Sequence, residues 1–408
     1  MDTPLPLMRG RYCRRHRLLN LAMQIVDVLL RVCFPFRRRG GAIAPPRRLL
    51  ISNLAHLGDL VTATSILPAL KSAFPECRIG FLAGSWARPV LQDHPLVDDT
   101  HILDHWAANR AAVPRWEKMR QYFRTRRQAL REVRAAGYDA ALDLSWNLPN
   151  TLPFLWQARI PTRIGYGSSG FGPLATHCLE FDARPLPVFA RYLALVRELP
   201  VESKDTTLAV MNLPPVSAAD REALDRELQQ YRNDYLVLHV GAGLGLNAWP
   251  QPRWRNLVEK LVRENKRLIF TGSGTRDAAL IEEVIHGLEG CVNLCGRLSW
   301  SGFVAAISQA RLLICVDTVA AHIAGAVGTP CAVIVAGRNP YLWHIPSKDC
   351  QVVTLPVPCS SCHRGLGCAG MECIRMVEAE QVYQAACILL ESAALESAAL
   401  ESAVQGRQ

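Results

Sequence analysis

From Arg48 to Ala83 the chain alternates between two hydrophobic rhythms. Leu49-Leu50-Ile51-Ser52-Asn53 is a short, nearly continuous apolar run, which suits a strand buried on both faces. Residues 54–58 read as a loop, and 59–73 as a helix with Val61, Ile66, Leu67 and Leu70 on its apolar side, stopped by Pro75. Ile79-Gly80-Phe81-Leu82-Ala83 is the next strand. A helix between two strands about thirty residues apart predicts a right-handed crossover and a parallel sheet. The same rhythm predicts strands at 100–103 and 140–144 around a basic helix over 115–136, a face either turned to an acceptor or simply solvated. Residues 165–172 read as a glycine-rich loop with no role assigned.

A second alternation begins at Tyr235. Strands are expected at 235–240, 267–271, 291–294, 312–316 and 331–335, with helices over 252–263, 277–287, 299–309 and 318–327. Pro252 suits a first helical turn. The expected class is therefore α/β, two Rossmann-like domains joined by a linker in 212–220, where Pro214 and Pro215 gather. The expected divisions are an arm at 1–46, domains at 47–215 and 216–385, and a helix-prone, low-complexity tail at 386–408 that repeats Leu-Glu-Ser-Ala-Ala. Ligands of such sheets sit beyond the carboxyl ends of the strands, so two domains can share one cleft.

Charge changes the picture at the N-terminus. Of a net +10 over 408 residues, nearly all lies in residues 1–48, which hold eleven arginines, no lysine and only two acids, Asp2 and Asp27. A nucleic-acid enzyme spreads its basic residues along a binding face, and this chain does not. Leu18–Val32 is apolar except for Asn20, Gln24, Asp27 and Arg31, whose spacing makes one helical stripe. The run is too short and interrupted to span a bilayer, which needs about 20 apolar residues. It suits a helix lying in the interface, with residues 9–39 on an anionic membrane surface. A helix packed on the enzyme itself, or a signal peptide ending at Ala42-Ile43-Ala44, are the competing readings.

The fourteen cysteines do not form the dense framework of a small secreted domain, which points to a reducing compartment. Cys295, Cys315 and Cys331 read as small core residues in strands. Cys359, Cys362, Cys368 and Cys373 have a spacing compatible with a structural zinc site, with disulfides or with free thiols.

The candidate chemistry follows strands. Asp317-Thr318-Val319-Ala320-Ala321-His322 ends a strand and opens a helix, where unpaired N–H groups and the positive dipole end favour a phosphate. Asp317 is expected to cap that helix, Thr318 to add a hydroxyl, and His322 to reach the same anion; a plain cap with a satisfied histidine is the alternative. His239, Gly241, Gly243 and Gly245 follow one strand, and Gly272, Ser273 and Gly274 another, with Asp277 close behind. Glycines there allow backbone to approach a ligand. In the first domain Gly58-Asp59 ends the first strand's loop. Asp59 is a candidate general base, or simply a helix N-cap.

Together these segments resemble glycosyltransferase family 9, the heptosyltransferase family, over roughly residues 47–385. The carriers are Asn53-Leu54-Ala55-His56-Leu57-Gly58-Asp59, Phe74-Pro75, residues 138–144, His239-Val240-Gly241-Ala242, Trp249-Pro250, and Asp317-Thr318 with His322 and Ala326. The resemblance implies a GT-B fold and an inverting transfer of a heptose or related sugar from an ADP-heptose-like nucleotide-sugar to lipopolysaccharide core or another lipid-linked saccharide. It implies Asp59 as base and residues 317–322 as the holder of the donor diphosphate, with helix-end amides making a metal unnecessary. It also implies a cytoplasmic enzyme at the inner face of a bacterial inner membrane. Two positions depart from the family's pattern: Asn247 stands where a lysine is usual, and Val319 where a glycine is usual. A UDP- or GDP-hexose donor, or a nucleotide-sugar-binding protein with impaired catalysis, are the readings those departures motivate.

Overall fold

The computed structural model describes residues 17–33, 42–146, 149–182, 186–201, 211–231, 234–243, 245–337, 349–359, 368 and 370–405. The chain forms two compact units, Met1–Pro214 and Pro215–Gln408.

In the first unit the apolar runs form β1 (Arg48–Ser52), β2 (Arg78–Ala83), β3 (Asp99–Ile102), β4 (Ala140–Asp143), β5 (Thr162–Tyr166) and β6 (His177–Leu179). They make one sheet of order β3-β2-β1-β4-β5-β6, parallel throughout. Ile51 of β1 lies opposite Phe81 and Leu142, and all three are fully buried, as the uninterrupted apolar runs required. The chain adds strands outward from β1 on one side and then from β4 on the other, so the crossover direction reverses between β1 and β4.

The second unit repeats this plan with β7 (Leu236–His239), β8 (Leu268–Thr271), β9 (Cys291–Asn293), β10 (Leu312–Val316), β11 (Cys331–Ile334) and β12 (Cys350–Val353). The order β12-β11-β10-β7-β8-β9 puts the reversal between β7 and β10. Trp249 and Trp254 anchor its core edge-to-face at 4.9 Å, and Trp249 Nε1 donates to Val377 O at 2.9 Å. The helix Ala379–Gln405 starts inside this core, with Val382, Ala386 and Leu389 buried, and carries the Leu-Glu-Ser-Ala-Ala repeat as its continuation.

Several expectations are corrected. The first crossover helix begins at Leu57 rather than 59, with His56 as N-cap, and breaks at a 3-10 turn over Thr64–Ile66 before resuming at Leu67–Ala73. Pro68 explains the break, because it lacks the N–H that would bond the previous turn. Strands β5, β6 and β12 were not expected, and β5 takes in the first two residues of the supposed 165–172 loop. Cys315 and Cys331 are buried strand residues, but Cys295 lies beyond β9 and is half-exposed.

The N-terminal segment forms a helix, Arg17–Cys33, seated on the first unit by a mixed side of Asn20, Met23, Asp27 and Leu30, while Gln24 and Arg31 of the expected polar stripe are exposed. Asn20, Met23 and Asp27 are buried, and Asp27 Oδ1 accepts the Phe171 N–H at 2.7 Å. Among the described residues no helix is long and apolar enough to cross a membrane.

Candidate functional site

Two clusters of chemistry-bearing residues lie at the carboxyl ends of the strands, each where the crossover direction of its own sheet reverses. Adjacent loops diverge there and leave room for a ligand.

In the second unit, β10, β7 and β8 are neighbours, so the loops that follow them are neighbours too. After β7, His239 Nδ1 lies 3.0 Å from Thr271 Oγ1 at the end of β8, and the ring tilts against Phe303. Burial pushes the imidazole down to about 4, with Asp277 opposing, so His239 is neutral at physiological pH. Asp277 lies in the first turn of the helix Gly274–Ile285, and its Oδ2 accepts the N–H of the N-cap residue Ser273 at 3.0 Å. This carboxylate underpins both glycine turns. A Cβ on Gly241 would come within 2.2 Å of Asp277 Oδ2, and one on Gly272 within 2.9 Å of Asp277 Cβ. The glycines are therefore required by the aspartate beneath them.

After β10, Thr318 rather than Asp317 is the N-cap of the helix Val319–Val327, and its side chain makes no capping bond. Thr318 Oγ1 is buried without a hydrogen-bond partner among the described residues. Leaving a buried hydroxyl unsatisfied costs about 1–3 kcal/mol, which makes it a candidate for satisfaction by a ligand. Asp317 is instead held from the side: Asn247 Nδ2 donates to its Oδ2 at 3.2 Å and to its backbone O at 3.1 Å. Asn247 is buried, and thus links the loop before Trp249 to the end of β10. Val319 occupies the first helical position, and His322 is buried within the same first turns. First-turn N–H groups have no i−4 acceptor, and of them Ala321 donates to the Thr318 carbonyl at 3.3 Å, so this helix start offers its remaining amides and a hydroxyl to an anion.

In the first unit, Asp59 is the third residue of the helix Leu57–Ala63, and its Oδ2 accepts the His56 N–H at 3.0 Å. It is thus the acidic member of a capping box rather than the N-cap itself. Gly58 lies beside it in that first turn, where Thr62 Oγ1 donates to the Gly58 carbonyl at 3.1 Å. The preceding loop is fixed by Asn53, whose Oδ1 accepts Ala55 N–H at 3.0 Å and whose Nδ2 donates to Tyr192 Oη at 3.3 Å. Trp86 Nε1 bonds the Ala55 carbonyl at 2.6 Å. Arg110 acts electrostatically on both Asp59 and His56. Burial, reinforced by that charge, pushes the His56 imidazole down to about 4. At the end of β4, Asp143 is fully buried and accepts from Thr151 N at 2.7 Å and Ser145 N at 3.0 Å. Burial still raises its carboxyl to about 6 against those bonds. Arg110, Tyr192 and Asp143 were not singled out as site residues from sequence; only the end-of-strand position of Asp143 offered a signal.

The cysteine cluster gains no support as a zinc site: no group of three metal-ligating residues occurs among the described residues, where Cys359, Cys368 and Cys373 are free thiols. Cys362 lies outside the described residues.

With that geometry in view, a model of glycosyltransferase family 9 (heptosyltransferase) matches residues 126–367. The chain is similar to lipopolysaccharide heptosyltransferase 2 of Salmonella typhimurium, 26% identical over 332 residues that span 76% of this chain and 88% of that one. Its fold matches the family 9 glycosyl transferase of Veillonella parvula with a TM-score of 0.69 at 20% identity, over 85% of this chain and 97% of that one. It also matches the E. coli heptosyltransferase WaaC solved with ADP-2-deoxy-2-fluoro heptose, with a TM-score of 0.63 at 16% identity, over 83% of this chain and 98% of that one.

Proposed function

The chain belongs to glycosyltransferase family 9 and is a GT-B glycosyltransferase, and on that premise we propose that it moves a heptose from an ADP-heptose-like nucleotide-sugar to a lipid-linked saccharide of the lipopolysaccharide-core type, with inversion at the anomeric carbon. The observation that carries this reading is the buried Thr318 hydroxyl, without a partner among the described residues, at the start of a helix beside the glycine turns after β7 and β8. The amides of that helix start and Thr318 Oγ1 hold the donor diphosphate, with neutral His239 and buried His322 as further polar partners. In the first unit, Asp59 takes the proton of the attacking acceptor hydroxyl. The acceptor oxygen bonds to the anomeric carbon as the bond to the diphosphate oxygen breaks. The nucleoside diphosphate leaves carrying its electron pair, stabilised by the helix-start amides. Arg110 lies within electrostatic reach of Asp59 and places a positive charge beside the proposed base.

Supporting precedents are the relative's name, lipopolysaccharide heptosyltransferase 2, and the solved structure of WaaC with an ADP-heptose analogue. Asn247 favours one second reading, because it neutrally braces Asp317 where the family usually has a cation: a donor with a different base or sugar. Calorimetry with ADP, UDP and GDP separates the two, the proposal requiring that ADP binds tightest. Asp59→Ala should then nearly abolish transfer from ADP-heptose while leaving ADP binding unchanged. Unchanged turnover in that variant removes Asp59 from its role.

A further inference from the structure

We propose that the helix Arg17–Cys33 is a docking element that seats the enzyme on an anionic lipid bilayer. It seats a mixed polar and apolar side on the protein and leaves its most apolar side exposed, unlike an ordinary surface helix. A helix that only completes a core turns its apolar stripe inward and its polar stripe to water. Here Asn20 and Asp27 turn inward, while Leu18, Leu21, Ile25, Val28, Leu29 and Val32 are all exposed, from 53% at Leu21 and Ile25 to 82% at Leu18. At 100° per residue those six fall within one side of the helix, a continuous apolar strip.

The occupant of that strip is selected by charge. Asp27 is the one acid between Asp2 and Asp59, and it is buried against the Phe171 N–H. Outward, the helix therefore presents no negative charge. The sequence entering it carries Arg9, Arg11, Arg14, Arg15 and Arg17, and the sequence leaving it Arg37, Arg38 and Arg39. An apolar strip flanked by arginines at both ends, on a helix that cannot span, matches the interface of a membrane rich in anionic headgroups.

The seat is rigid and aimed. Met23 packs over Gly170, whose φ of +87° and lack of a Cβ both permit the contact. Leu30 packs against Leu174 and Leu152. The same loop is tied to the end of β4: Ser168 Oγ donates to the Trp146 carbonyl at 2.6 Å, and Asn150 Nδ2 to the Gly170 carbonyl at 2.8 Å. The helix is thus braced through two hydrogen-bonded loops to the carboxyl end of the first sheet, the end that carries Asp59. A bilayer bound by this strip holds that end of the domain in a fixed attitude to a lipid-linked acceptor.

The experiment is flotation of the full chain with phosphatidylcholine vesicles, with and without phosphatidylglycerol, in the absence of donor and acceptor. The chain should float with the anionic vesicles and be released by high salt. Leu21→Ser/Ile25→Ser/Val28→Ser, all at exposed positions, should cut partitioning about tenfold or more while leaving the melting temperature unchanged. Failure to float with anionic vesicles, or equal flotation of the triple variant, overturns the proposal. A wild type that is dimeric by light scattering, rendered monomeric by the triple change and indifferent to vesicles, also overturns it and makes the strip a contact between copies. Because no sugar is present, failure here leaves the transfer reading intact, and an inactive chain that still floats separates the two in the other direction.

Discussion

Asp59 performs two jobs that one substitution confounds. Its carboxylate closes the capping box with His56 and is the proposed base. Asp59→Asn keeps an acceptor for the His56 N–H but removes the basicity, so kcat should fall about a hundred- to ten-thousandfold with little change in melting temperature. Asp59→Ala should fall as far and also lose about 1 kcal/mol of stability with the cap. Thermal melts beside single-turnover rates check both. Thr318 offers a cleaner division. Thr318→Val is nearly isosteric and deletes a hydroxyl that no described residue satisfies. The free protein should be as stable as the parent or more so, while donor affinity drops about tenfold, measured by melting and by calorimetry. If the hydroxyl were structural, the signs would reverse. Gly241→Ala must push against Asp277, and should weaken donor binding and cost about 1–3 kcal/mol together.

At the scale of elements, hydrophobic period foretold most helices and most of the buried strands, because parallel strands covered on both faces tend to be apolar at every position. It missed β5, where Arg163 and Gly165 interrupt the apolar run, and also β6 and β12, whose short spans His177–Leu179 and Cys350–Val353 are only partly buried and carry no clear alternation. Those strands exist because a parallel neighbour offers them a ladder, a fact invisible in a local window. The N-terminal helix is the sharper lesson. Its stripe was legible, but which stripe would face the protein was not. That was settled by one backbone N–H, at Phe171, in need of an acceptor, and by a glycine that admits Met23. Gly170 has φ +87° and ψ 179°, backbone that side chains other than glycine's rarely adopt. Gly170→Ala should therefore loosen this seat at a cost of about 1–3 kcal/mol, read as a lowered melting temperature and faster tryptic cleavage at exposed Arg31.

At the scale of the whole molecule, stability should fall in mild acid. Burial lowers the imidazoles of His56 and His239 to about 4, and those of His94 and His105 in the same direction. For each, the unfolded chain binds a proton that the folded one refuses, so folding weakens as pH drops below the ordinary histidine value of about 6.5 and the loss levels off below the folded value. Asp143 acts in the opposite sense: its raised value of about 6 makes the folded state the better proton binder, so its contribution grows as pH falls toward the ordinary carboxylate range. Four groups outweigh one, and the melting temperature should be lower at pH about 5 than at pH about 7.5. A higher value at the acid end refutes this balance.

The sequence by itself determined that there would be parallel α/β units, where glycine turns would follow strands, and that Asp59 and Asp277 would stand near helix starts. Those features depend on period and on local backbone chemistry, which a short window contains. Only the tertiary structure decided that Asn247 braces Asp317, that Asp277 lies beneath both glycine turns, that Arg110 and Tyr192 lie within electrostatic reach of Asp59, and that the N-terminal helix leaves an apolar strip facing outward. Each of these joins residues far apart in the chain, and which of them meet is fixed by sheet order and by the need of every buried polar group for a partner.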